Sequence, residues 1–208
     1  MGSMDAHHAS LPALRRKGQR PGRFGVVDLA VVVVAALSPD GRELHNAQIV
    51  RRTLREKRIV ETIDLVAEDV VEAMSRTERL RYDTSEPIVD PAIAVHADLV
   101  ARAEVLAFVF PTRWWSPPPV LKAWMERTLV PGVAFVLDSE SRLRPNLRTL
   151  RAVVGVTSRE HPEVIADGGD GARRMLMRTM RLNTPRRVRT EWLIDPSEDT
   201  IAEKLSRL

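Results

Sequence analysis

Two adjacent tryptophans, Trp114 and Trp115, stand just beyond an apolar run and a proline, in the order Pro111-Thr112-Arg113-Trp114-Trp115-Ser116. Flat rings beside the backbone N–H groups of Thr112 and Arg113 suit a planar heteroaromatic ligand, and a flavin answers that description. The same pair suits core or dimer-interface packing, and spacing alone does not decide between the two. A second polar group, Ser38, His45 and Asn46, lies between a strand-like run at 29–35 and a helical pattern at 47–54. A strand, a polar loop and a helix form a layout for phosphate, because a helix N-terminus offers free N–H groups and partial positive charge. An ordinary βα turn with a capping asparagine is the simpler reading of those residues taken alone. Thr157, Ser158 and Arg159 follow another apolar run, and His161 is a candidate proton donor set against a plain surface histidine. Asp167 and Asp170 flank two glycines in the manner of a turn, so no metal is expected.

These residues need elements to hold them. The run 104–110 is apolar, partly β-branched and aromatic, as in a strand covered on both faces of a parallel sheet. Pro111 is expected to end that strand. Ser116 is then the expected N-cap of a helix with Pro117, Pro118 and Pro119 in its first turn, running to residue 129. Further strands are expected at 29–35, 58–66, 150–157 and 188–194, with helices at 91–102, 172–181 and 201–208. Val71, Met74 and Leu80 are the expected inward side chains of an amphipathic segment at 68–82. Ile93, Val95, Leu99 and Val100 should face the sheet, leaving His96 outside. Five strands alternating with helices make a doubly wound α/β fold with helices on both faces and right-handed crossovers.

A chain of 208 residues suits one such domain, expected at 26–208 behind a flexible polar leader at 1–25. There is no cysteine, which excludes disulfides, thiolate metal sites and a cysteine nucleophile. The longest apolar stretch is far short of the ~20 residues that span a bilayer, and the leader has no signal-peptide core. A soluble, cytoplasmic protein without membrane contact is expected. The formal charge is +4, carried almost wholly by arginine. Acidic residues are interspersed throughout, so nucleic-acid binding is not expected.

The segment Phe-Val-Phe-Pro-Thr-Arg-Trp-Trp-Ser-Pro-Pro-Pro-Val-Leu-Lys-Ala-Trp, closing at Pro-Gly-Val-Ala-Phe135, resembles the flavin loop of the flavodoxin-like NAD(P)H:quinone oxidoreductases. The resemblance implies a five-stranded parallel sheet of order 2-1-3-4-5, FMN or FAD as cofactor and NAD(P)H as hydride donor. It further implies a quinone or similar electron-poor aromatic as acceptor in a ping-pong cycle, and a homodimer whose sites draw on both chains. Pro111, Thr112, Arg113, Trp114 and Trp115 would line one side of the flavin ring, and Thr157, Ser158 and Arg159 the other. Ser38, His45 and Asn46 would serve its phosphate. The chain departs from the family at both flanking loops. Asn46 matches, but His45 stands where the aromatic falls, Leu44 where a hydroxyl falls and Pro39 where the histidine falls; Arg159 replaces a glycine. Val164 and Asp170 stand where a tyrosine and a histidine line the substrate pocket of the mammalian-type enzymes. A different class therefore stands beside the oxidoreductase: a protein with a degenerate flavin site that acts without redox cofactor on an aromatic intermediate, or that serves as a binding or regulatory subunit.

Overall fold

The computed structural model describes residues 28–159 and 170–208, so the expected leader and His161 lie outside the described residues. Strands β1 (Leu29–Val34), β3 (Val105–Thr112) and β6 (Ala152–Arg159) are buried along nearly their whole length, as their unbroken apolar sequences demand. The flanking strands β2 (Ile59–Asp64) and β7 (Arg189–Ile194) mix exposed and buried positions. All five run parallel in the order β2-β1-β3-β6-β7. This is the expected 2-1-3-4-5 order, because a separate antiparallel hairpin of β4 (Phe135–Leu137) and β5 (Leu143–Pro145) intervenes in the chain. The hairpin falls where a loop was expected after one short extended piece.

Side chains alternate between the two faces of the central strands and make two cores. Val31, Val33, Leu106, Phe108, Phe110 and Val153 pack with α3 (Pro91–Arg102), α4 (Pro119–Thr128) and α5 (Gly171–Asn183). Ala30, Val32, Val34, Ala107, Val109 and Val154 pack with α1 (Arg42–Arg55) and α6 (Glu198–Ser206). Gly155 is obligatory in this packing: a Cβ there would lie 2.2 Å from the Trp192 indole, which also meets Phe110 edge-on at 5.9 Å.

Several expectations change. β3 continues through Pro111 to Thr112; β1 pairs with it only as far as Val109, so beyond that point β3 has one neighbour and tolerates a missing N–H. Ser116 does not cap α4, whose N-cap is Pro118. α1 begins at Arg42 rather than 47, which puts His45 and Asn46 inside the helix. Only a short helix, α2 (Arg76–Arg81), forms within 68–82, started by a capping box between Ser75 and Glu78, and Val71 and Leu80 are exposed rather than inward. Val95 is exposed too, while His96 is buried, its Nε2 donating to Glu68 at 2.8 Å and its Nδ1 accepting from Trp124 Nε1 at 3.2 Å. A polar partner on each ring nitrogen is what allows a histidine to enter the core.

Candidate functional site at the carboxyl edge of the sheet

In this topology the chain leaves β1 toward one side of the sheet and β3 toward the other, so the loops after them diverge. Ligands of open α/β sheets bind in the crevice this leaves. Thr112 and Thr157, at the ends of β3 and β6, meet there: their hydroxyls hydrogen-bond at 2.6 Å and both side chains are buried. Beyond Thr112 the chain reverses at once. Arg113 N–H donates to the Ser116 carbonyl at 3.0 Å and Ser116 N–H returns a bond to Arg113 at 2.8 Å, while Trp114 and Trp115 between them have φ of 47° and 57°.

That is a two-residue turn of type I′, a conformation ordinarily given to Asn-Gly. Two tryptophans in the left-handed region cost about 1–2 kcal/mol each. Backbone strain of this kind persists only where surrounding structure imposes it, and it gathers at ligand sites. Gly171, the first residue of α5, holds the turn from below, since a Cβ there would lie 2.3 Å from the Trp115 carbonyl oxygen. Trp114 is 86% exposed. Trp115 is half-buried, and its Nε1 is sealed from solvent with no hydrogen-bond partner among the described residues.

Of the N–H groups expected near a ligand, that of Arg113 donates to the Ser116 carbonyl. The N–H groups of Trp114 and Trp115 are the ones without an acceptor among the described residues. Pro111 lies buried in β3 beneath the turn.

Ser158 also points into this region, but its hydroxyl donates to the carboxylate of Glu43, a residue not foreseen from the sequence. Glu43 is buried at 7% exposure in the first turn of α1, close against Gly41, the N-cap. The only advance signal was an acidic residue at the start of a helix, a common device for satisfying the helix dipole. Of the three residues expected to receive phosphate, Ser38 lies in the loop, its carbonyl accepting from Gly41 N–H. His45 is exposed on the outer side of α1. Asn46 is buried, its Nδ2 without a partner among the described residues. The structure therefore does not bring these three together at a helix N-terminus.

Arg159 neither crowds the crevice nor points a free charge into it. Its backbone N–H and its Nε donate to Asp195 at 3.0 and 2.8 Å, and Arg42 reaches the same carboxylate at 3.1 Å. Asp195, beyond the end of β7, adopts a φ of 46° to do this and was likewise unforeseen. Asp170, a turn residue in the sequence, caps α5 and accepts from Trp192 Nε1 at 2.6 Å. No group of side chains among the described residues is arranged to hold a metal ion, and no described helix is long and apolar enough to cross a membrane.

Residues 30–183 match the family of the flavodoxin-like fold. A quinone-type NAD(P)H dehydrogenase of Cavia porcellus is 26% identical over 96 residues, which are 43% of this chain and 34% of that protein. The chain thus spans about a third of that relative's length. The structure of an NAD(P)H:quinone oxidoreductase from Methanothermobacter marburgensis superimposes with a TM-score of 0.68 at 20% identity, over 86% of this chain and 96% of that one. An FMN-dependent NADH-azoreductase from Bacillus anthracis, solved with FMN, gives 0.63 at 9% identity over 86% and 95%. At such identities these two likenesses concern the fold. With its strand order, its switch-point crevice and a match across most of its length, the chain belongs to the family of the flavodoxin-like fold.

Proposed function

We propose that the chain is a flavin-dependent NAD(P)H oxidoreductase that passes a hydride to a quinone or another electron-poor aromatic in a ping-pong cycle. The observation that carries this is the strained Trp114-Trp115 turn at the switch point, with two backbone N–H groups and a buried indole Nε1 that lack acceptors among the described residues. The names of the relatives support the reaction class.

The ring end of the crevice fits a flavin. The amides of Trp114 and Trp115 would donate to its polar edge, Trp115 would pack along it, and Thr112 and Thr157 would form the floor. A bound flavin supplies the redox chemistry itself, and the protein's part is to orient it, exclude water and leave one face open to donor and acceptor in turn. An indole as exposed as that of Trp114 supports a homodimer in which the second copy covers the turn. The phosphate end is different, since Glu43 occupies the first turn of α1. That observation favours the second reading, a flavodoxin-like protein that binds a planar ligand without redox turnover, or a regulatory subunit.

The visible spectrum separates the two. Purified protein is mixed with FMN, FAD or riboflavin and then with NADPH. Flavin bands that shift on binding and bleach on reduction are expected, and replacing Trp114 and Trp115 with alanine should weaken retention. A wild-type protein that perturbs no flavin overturns the oxidoreductase reading.

A further inference from the structure

We propose that Glu43 closes the α1 end of this crevice to phosphate, so that the site selects a planar heteroaromatic with a neutral, hydroxyl-bearing tail over its phosphorylated form. The inference rests on the flavin reading for the ring and concerns what the tail meets.

A helix N-terminus is a place for an anion because its first N–H groups are unpaired and its dipole is positive there. In α1 a carboxylate already stands at that end. The Glu43 carboxylate lies in the first turn, buried, against Gly41 and within reach of the Ser158 hydroxyl, which donates to it. Gly41 N–H is already taken by the Ser38 carbonyl at 3.0 Å. Arg42 and Arg159 both reach Asp195, and no ion pair among the described residues joins either of them to Glu43. A phosphate brought to this turn would face a like charge in a buried setting, where repulsion is screened least. A hydroxyl would instead donate to the free lone pairs of the same carboxylate.

The full chain, freed of bound flavin, is titrated with riboflavin and with FMN by flavin fluorescence. Inorganic phosphate is titrated by thermal unfolding. Wild type is compared with Glu43→Gln, which removes only the charge, and Glu43→Thr, which leaves a hydroxyl donor. Wild type should hold riboflavin at least as tightly as FMN. Both variants should gain about tenfold or more for FMN while riboflavin moves by less than about threefold, the size expected when one buried like charge is removed. FMN binding to wild type about tenfold tighter than riboflavin, or an equal change for both flavins on substitution, overturns the assignment. If no flavin binds to any of the three proteins, the oxidoreductase reading fails and phosphate decides the role of Glu43 alone. Phosphate that raises the melting temperature of the variants and not of wild type upholds it; an equal response in all three overturns it.

Discussion

Replacing Trp114 by glycine should leave the protein more stable than replacing it by alanine, the reverse of the usual order. Trp114 is 86% exposed, so both substitutions remove the same few contacts, and the pair isolates the backbone. With φ at 47°, alanine keeps a Cβ that costs about 1–2 kcal/mol in the left-handed region. Glycine relieves that cost but loses about 0.5–1 kcal/mol to the greater freedom of its unfolded chain. The difference leaves glycine ahead by about 1 kcal/mol, or about 2–4 °C in melting temperature for a chain of this size. Urea unfolding of wild type and both variants measures it, with the m-value checked for constancy. The Gly variant should also lose ligand retention, because the indole and the imposed turn go together. Equal stability of the two variants, or a more stable alanine variant, refutes the claim that the turn is strained.

Arg127→Met should cost about 3 kcal/mol, because it strands the buried carboxylate of Glu78. The Arg127 side chain is 5% exposed, and its Nε and Nη2 meet Glu78 at 2.6 Å and Asp90 at 2.8 Å; urea unfolding measures the loss. Burial raises both carboxyls, but backbone N–H bonds and Arg127 outweigh it and hold them below their ordinary values of 4.5 and 3.8. Their stabilisation is therefore complete above those values and lost as pH falls through the lower folded ones. Wild-type stability should decline below about pH 4.5, and decline less steeply in Arg127→Met. Gly155→Ala should destabilise by about 1–3 kcal/mol through overpacking against Trp192, with an additional Trp192→Ala recovering most of it in a double-mutant cycle. Thr112→Val, which removes one partner of the buried Thr112 to Thr157 bond, should cost about 1 kcal/mol in the same assay.

What the sequence determined by itself is the sheet and its strand order. Runs such as Leu29–Val34 and Val105–Thr112 have no polar face to give to water, so they are stable only between two layers of helices, and that requirement is local enough to read from residue types. The pair Trp114-Trp115 was visible as a candidate for the same reason. Its geometry was not, because Trp-Trp carries none of the Asn or Gly signal of a type I′ turn; only its closure between β3 and α5 imposes the conformation. The fate of the polar residues belonged wholly to the tertiary structure. Arg159, standing where the family has a glycine, gave no sign of its partner until the fold brought Asp195, 36 residues away, to its guanidinium. Ser158, a candidate ligand contact, donates to Glu43, 115 residues away, a partner no local pattern announced. Apolar burial follows from each residue's own transfer free energy, whereas a charged or hydroxylated side chain is settled by whichever partner the completed fold brings within about 3 Å.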